Sequence, residues 1–392
     1  MWTTLRAVPR LVVALVLVSF ALAGCGGGEQ ASQPRGAGKG FHPVAGTFAP
    51  DDTKLSDCNG GSRCLEQAFG NLAFRAGPKA ALAVFDRRMA DTKAVESDCH
   101  RIVHTIGSAS LARNDGNVAK TFSQGSASCW SGYYHGILER AFSGVQTRAG
   151  LGRVARTLCD DPGIHASTYL YYQCVHGLGH GLMIQSGYRM PVALDVCGRL
   201  STGWDQTSCS GGVFMENISS SYGFKSPWLK ANDLVYPCDS RIVKADFKLY
   251  CYLMVTSRIL QATGYDWKVA ARTCSNVERA WVGTCFQSFG RDASGFTRQN
   301  PRGILRLCRV AGKGRSDCIY GAARDMSSNY AGGREASVLC RLSPAGERAR
   351  CFNGIGTILG SLHADTSGRR AACAEVTKRY LVPCIRGSGV PA

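Results

Sequence analysis

The sequence is poor in acidic residues, with 28 Asp and Glu against 46 Lys and Arg in 392 residues. It lacks the patterns of RNA-recognition domains, zinc knuckles and phosphate-binding P-loops, so its formal net charge of +18 does not indicate a nucleic-acid partner. The strict polar–apolar alternation of strands is also largely absent, which disfavours a β-rich fold. What remains is apolar periodicity typical of helices, and a large number of cysteines.

The N-terminal apolar run is too short to span a bilayer comfortably, and it follows Arg6 and Arg10 in the segment LVVALVLVSFALAG. This order of charged and apolar segments predicts an export signal. Its end, Leu22-Ala23-Gly24-Cys25, resembles the lipobox of bacterial lipoproteins. The resemblance implies cleavage before Cys25 and acylation of its thiol, with residues 1–24 as the signal peptide. We therefore expect a lipid-anchored protein on the extracytoplasmic face of the cell membrane.

The segment after Cys25 is rich in Gly, Ala, Pro, Ser and Gln and cannot bury enough apolar surface to fold alone. We predict a flexible tether over residues 25–57 and a disulfide-rich helical domain over residues 58–392. In an exported chain, the basic charge favours a surface near anionic lipid, an anionic polymer of the envelope or a protein partner.

Cysteines reveal a repeat. Removing Cys25 from the 19 cysteines leaves an even number, in a compartment that permits disulfides. From Cys251 onward, the second cysteines of successive couples are about 33 residues apart, which is the period of a helical hairpin. The regular couples are Cys159 with Cys174, Cys197 with Cys209, Cys238 with Cys251, Cys274 with Cys285, Cys308 with Cys318, Cys340 with Cys351, and Cys373 with Cys384.

The sequence around each couple supports helices. The segment RGILRLCRVAGKGRSDCIYGAARDM holds an apolar-periodic stretch ending in Cys308, a Gly-containing loop, and a second periodic stretch starting near Cys318. We predict an all-α solenoid of roughly 33-residue helical hairpins stapled by disulfides. It resembles tetratricopeptide and Sel1-like repeats in period and helix content only, because the landmark residues of those families are absent.

Two disulfide pairings fit this arrangement. Both cysteines of a couple lie at the same end of an antiparallel helix pair, so a bridge within the couple is natural, but so is a bridge to the next unit. We favour the short pairing, since closing a loop of ~15 residues stabilises a fold by about 3 kcal/mol. The couples Cys58 with Cys64 and Cys99 with Cys129 are irregularly spaced and mark an N-terminal cap.

The protein has only eight histidines, and five of them lie in three sets at i, i+4 spacing. This spacing puts two side chains on one helix face, as when a helix offers two ligands to a metal ion. On a helical wheel, the first set occupies the opposite flank from the other two, so stacked helices bring the sets face to face. Glycines in the shared pattern C-x2-G, such as Gly136, then let the helices approach closely. The sets are His100 with His104, His135 with Glu139, and His176 with His180.

Two interpretations of these sets remain open. Imidazole and carboxylate donors suit a transition metal, namely Zn, Fe, Mn or Cu(II). The same groups could form a buried hydrogen-bonded network in a non-enzymatic interaction scaffold of the cell envelope. Glu216 is a weaker candidate because its wheel angle lies near the cysteine side. Asp160, Asp161 and His165 are candidates for groups that support metal ligands without binding the metal, although we favour a helix-cap role for the two aspartates. No separate nucleophile identifies a reaction, and later repeats carry Met215, Arg291, Arg324 and Thr357 at the histidine position.

Overall fold

The computed structural model of the protein describes residues 41–43, 48–126, 128–220 and 224–391, with only the backbone of Trp130. The described residues contain no strand, and the predicted all-α class is confirmed. Residues 1–40, which hold the predicted signal peptide and Cys25, lie outside them. Short 3-10 helices cover Leu55–Asp57, Arg279–Trp281, Gly312–Gly314 and Ala345–Glu347. The α-helices are α1 (Ser62–Ala76), α2 (Pro78–Asp91), α3 (Lys93–Ser97), α4 (Cys99–Arg113), α5 (Val118–Phe122), α6 (Ser128–Ala141), α7 (Arg148–Thr157), α8 (Pro162–His165), α9 (Thr168–Gln185), α10 (Met190–Cys197), α11 (Gly203–Ser219), α12 (Ala245–Ala262), α13 (Trp267–Asn276), α14 (Val282–Phe296), α15 (Pro301–Val310), α16 (Arg315–Asn329), α17 (Arg334–Leu342), α18 (Arg348–Leu362), α19 (Thr366–Val376) and α20 (Leu381–Gly387).

Helix starts follow local sequence signals. Thr202 and Asp205 form a capping box on α11, in which each side chain accepts a hydrogen bond from the backbone N–H of the other. Asn300 accepts from the Gly303 N–H at the start of α15, where Pro301 occupies the first turn. These caps fix where the helices of a hairpin begin.

Every cysteine of the described residues is bridged. The seven regular couples are closed within the couple over 10 to 15 residues, so the structure has the short pairing that we favoured. Cys58 pairs with Cys64, and Cys99 of α4 pairs with Cys129 of α6. Five of these bridges join consecutive helices: α10 to α11, α13 to α14, α15 to α16, α17 to α18, and α19 to α20.

Nine helices pack side by side in chain order, and we call them the inner row. Each carries the second cysteine of a couple, except the first, which carries Cys99. Shorter helices such as α15 bury one face against the inner row and expose the other. This arrangement is the stapled helical-hairpin repeat that the cysteine period predicts. The inner row consists of α4, α6, α9, α11, α12, α14, α16, α18 and α20.

The inner row curls back on itself. Helix α6 contacts α16, and α9 contacts α18, although many turns of helix separate them in the chain. Arg298, just after α14, also forms an ion pair with Glu96 of α3, which is distant in the chain. Contacts within the inner row are therefore not confined to helices that follow one another in the chain.

Glycines let the helices of the inner row touch. A Cβ on Gly136 of α6 would overlap the carbonyl oxygen of His104 in α4, so the predicted packing role of Gly136 is confirmed. A Cβ on Gly212 of α11 would overlap the carbonyl oxygen of His176 and lie 3.1 Å from the Cα of Gly179, both in α9. Only glycine permits such contacts, and they bring neighbouring side chains within reach of one another.

Part of the segment predicted as a tether is described, and it contacts the helical domain. Asn71 of α1 accepts a hydrogen bond from the Asp51 N–H at 3.0 Å and donates to the Asp51 carboxylate at 2.7 Å. Arg140 donates to the Phe48 carbonyl at 2.9 Å. Residues 48–57 thus add contacts of their own to the helical domain. Among the residues described, no helix has the length and apolar character needed to cross a bilayer.

Candidate metal centre

Three consecutive helices of the inner row bring all six predicted ligands to one buried place, and the next helix, α11, adds Glu216. Each helix contributes one or two side chains at i, i+4 spacing, and close packing on glycine holds the helices together. We call these residues the His/Glu cluster. They are His100 and His104 from α4, His135 and Glu139 from α6, His176 and His180 from α9, and Glu216 from α11.

The dimensions of the cluster are close to those of a coordination site. Three sets of three residues each have one donor atom per residue within 4.8 Å of the others. Two donors on opposite sides of one ion lie about 4.2 Å apart, at about 2.1 Å each from the metal. The sets are His100, His104 and His135; His135, His176 and His180; and His104, Glu139 and His180.

Three imidazoles are oriented by an acceptor on Nδ1. His100 Nδ1 lies 3.0 Å from the Cys129 carbonyl oxygen, His104 Nδ1 lies 2.5 Å from Glu139 Oε1, and His180 Nδ1 lies 2.9 Å from Glu216 Oε2. Metal-binding histidines generally donate their second N–H to a carboxylate or carbonyl in this way. With the proton on Nδ1, each Nε2 presents a lone pair.

The two Nε2 atoms of His100 and His104 lie 3.0 Å apart. The Cys129 carbonyl can only accept, so His100 carries its proton on Nδ1. When the Glu139 carboxylate accepts from His104 Nδ1, both Nε2 atoms present lone pairs to each other. Two lone pairs at this distance repel unless a cation lies between them. Nitrogens bound to one metal at about 2.05 Å lie about 2.9 Å apart at a right angle and about 3.3 Å apart at the tetrahedral angle.

Burial keeps the imidazoles neutral. The pKa values of His100 and His104 are lowered to about 4 and that of His176 to about 3, mainly by burial and, for His100 and His176, also by neighbouring imidazoles. The pKa values of His135 and His180 fall well below the usual range for the same reasons. Neutral imidazole is the form that binds metals. Within the described residues, His180 Nε2 and His135 Nδ1 are buried without a hydrogen-bond partner.

Two carboxylates are buried in the cluster. Glu139 and Glu216 are 7% and 0% exposed, and they lie against His104 and His180. Acidic side chains are rarely buried to this extent unless they are paired.

Sequence reasoning ranked Glu216 too low. Its carboxylate bonds to His180 and accepts a hydrogen bond from the Tyr188 hydroxyl, which also contacts Ser220 at 3.2 Å. The idealised wheel placed Glu216 toward the cysteine side, whereas the close crossing at Gly212 brings it against α9. The apolar sequence around Glu216 indicates its role better than the wheel angle does. If the segment GGVFMEN is buried, its glutamate must be paired with another group.

The outer candidates lie away from the cluster. Asp161 caps α8 by accepting from the Gly163 N–H at 2.7 Å, which confirms its predicted alternative role, and Asp160 is exposed. His165 stacks on Tyr171 with ring centres 4.3 Å apart. At the equivalent positions of later repeats, Arg324 donates to Thr357 Oγ1 at 3.1 Å, so polar contacts continue along the inner row.

No protein-family model, characterised protein or solved structure matches this chain. Its function is therefore argued from the geometry of the His/Glu cluster.

Proposed function

We propose that this chain is a metal-binding protein whose His/Glu cluster holds a transition-metal ion. The observation that carries the proposal is the pair of Nε2 atoms 3.0 Å apart, each on an imidazole whose Nδ1 faces an acceptor. A shared ion turns this repulsive contact into two coordination bonds. Buried carboxylates nearby supply the matching negative charge.

The donor set defines the class of metal. Since every described cysteine is in a disulfide, only imidazole nitrogen and carboxylate oxygen are offered. Such donors favour Zn, Fe, Mn or Cu(II) over ions that prefer thiolates or oxygen alone.

We further propose that the protein works outside the cytoplasm, anchored to the membrane by lipid on Cys25. Nine disulfides among the described residues support an oxidising compartment. The lipobox-like segment before Cys25 supports the anchor, and the net charge of +18 supports contact with an anionic envelope surface. We favour metal binding over a scaffold role because the cluster gathers potential ligand atoms within 4.8 Å of one another in a buried place.

Elemental analysis of exported, tag-free protein tests the proposal. We expect a stoichiometric transition metal in the wild type and its loss in the double variant His176→Ala/His180→Ala. The matched control is His165→Ala/His363→Ala, which removes two histidines outside the cluster and keeps the metal. Metal-free wild type that also fails to bind added Zn²⁺, Mn²⁺, Fe²⁺ or Cu²⁺ would overturn the proposal.

A further inference from the structure

A cavity of about 420 Å³ lies beside the His/Glu cluster. Its walls come from the start of α4, the end of α11, α12 and the end of α14, which the curl of the inner row brings together. His100 belongs to both the cluster and the cavity wall, and it is the least buried of the five histidines. The cavity therefore reaches the cluster at its most exposed member.

Two arginine side chains line this cavity. Arg101 pairs with Glu66 at 2.8 Å, and Arg291 donates to Asp292 at 2.9 Å. Both side chains remain partly exposed, Arg101 at 30% and Arg291 at 24%. A guanidinium has five N–H groups, which is more than one carboxylate accepts. The cavity thus offers guanidinium N–H groups to an anionic ligand.

The charge balance selects a ligand with one negative charge. Asp98 and Asp292 also line the cavity, so the two arginines leave no net charge on its walls. Both carboxylates already accept hydrogen bonds, Asp98 from Ser62 at 2.5 Å and Asp292 from Ser257 at 2.7 Å. A doubly charged phosphate would meet these acids at a penalty, whereas a monocarboxylate can bond to a guanidinium with little repulsion.

One wall of the cavity is apolar. Leu260, Tyr265 and Phe296 line it, and the two aromatic rings have centres 5.3 Å apart. Tyr265 and Phe296 remain 50% and 55% exposed. An apolar group on the ligand would cover these surfaces.

We propose that this cavity binds a small organic monocarboxylate, with its carboxylate between Arg101 and Arg291 and its apolar part against Tyr265 and Phe296. That the ligand then lies next to a metal ion rests on the proposed function. The binding pocket itself depends only on the arginines and the apolar wall.

Calorimetric titration of the full exported chain with acetate, hexanoate, benzoate and inorganic phosphate tests the proposal. We expect saturable one-to-one binding of at least one carboxylate, with hexanoate and benzoate tighter than acetate and phosphate weakest. Tighter binding of phosphate, or no saturable binding of any carboxylate, would overturn it.

Variants assign the binding to this cavity. Arg101→Gln and Arg291→Gln should each weaken carboxylate binding about 10- to 100-fold, the usual effect of losing one charge-assisted hydrogen bond. Phe296→Ala, at an exposed position that tolerates truncation, should weaken benzoate more than acetate. Arg309→Gln is the control, because Arg309 is exposed on α15 and lies outside the cavity lining. Unchanged affinity in both arginine variants and in Phe296→Ala would contradict the assignment.

The carboxylate-binding proposal and the metal-binding proposal can be refuted independently of each other. If the protein binds carboxylates but takes up no metal, the proposed carboxylate pocket is supported and the proposed metal centre is refuted. With Mn²⁺ loaded, the NMR lines of bound benzoate should broaden, since a paramagnetic ion at His100 adjoins the cavity. Binding without broadening in Mn²⁺-loaded protein would refute the placement beside the metal.

Discussion

Replacing Glu216 with Gln separates a metal centre from a purely hydrogen-bonded network. Glu216 is fully buried, and its Oε2 lies 2.9 Å from His180 Nδ1. The amide of Gln keeps the size and can still bond to Tyr188, but it removes the negative charge that polarises the imidazole. The His180 Nε2 lone pair then becomes a weaker donor.

The effect on metal binding can be estimated from this contact. Losing a carboxylate that supports a ligating imidazole lowers metal affinity about 10- to 100-fold, or about 1.4 to 2.7 kcal/mol. In the metal-free protein we expect no such loss, because removing a neutral amide from water costs less than removing a carboxylate of the same size. We therefore expect the metal-free variant to be at least as stable as the metal-free wild type.

Titration with Zn²⁺ against a competing chelator measures the affinity, and thermal unfolding with and without metal measures stability. Glu375→Gln is the matched control, since Glu375 is exposed on α19 and should leave both quantities unchanged. If the Glu216 variant binds Zn²⁺ as tightly as the wild type and loses about 1.5 to 3 kcal/mol without metal, the carboxylate serves only a hydrogen-bonded network and our reasoning is refuted.

Three further predictions concern packing, pH and anchoring. Gly212→Ala should destabilise the protein by at least about 1 to 3 kcal/mol in chemical unfolding, because the added Cβ overlaps the His176 carbonyl. The control Gly346→Ala has open space around the added Cβ and should change stability by less than about 0.5 kcal/mol. Equal effects of the two substitutions would refute the packing role. Burial raises the pKa of Asp325 to about 7, so its folded form holds a proton that the unfolded chain releases near pH 4, and stability is lost as pH rises between these values. In urea unfolding, the stability of Asp325→Asn relative to the wild type should therefore be greater at pH 8 than at pH 5. A stability difference that does not change with pH would contradict this. Cys25→Ser should abolish incorporation of radiolabelled fatty acid, and label in the variant would refute the lipobox assignment.

The sequence predicts the repeat and most of the cluster because both depend on local spacing. Couples such as Cys308 with Cys318 are short enough to bridge within one hairpin, and their period predicts stacked helices. The i, i+4 pair His176 and His180 shares a helix face whatever the surrounding fold. Bringing these faces together requires only that neighbouring hairpins stack.

Features that depend on how helices cross could not be predicted in this way. The curl that joins α9 to α18, and that forms the cavity between α4 and α14, results from small rotations at each helix contact. An idealised wheel does not include these rotations, and this is why Glu216 was ranked too low. Arg291 was noted only as a replacement for histidine, because its place in the cavity depends on the same curl.

An anomalous difference map from crystals of the metal-loaded protein tests the central claim most directly. We predict a peak about 2.0 to 2.1 Å from Nε2 of both His100 and His104, with other donors of the His/Glu cluster completing the coordination. The contradicting result is no peak at this position in protein soaked with Zn²⁺, Mn²⁺ and Cu²⁺, while His100 Nε2 and His104 Nε2 stay at hydrogen-bond distance. In that case a chain of hydrogen bonds joins these residues: a protonated Glu139 donates to His104 Nδ1, and His104 Nε2–H donates to His100 Nε2. The cluster is then not a metal centre.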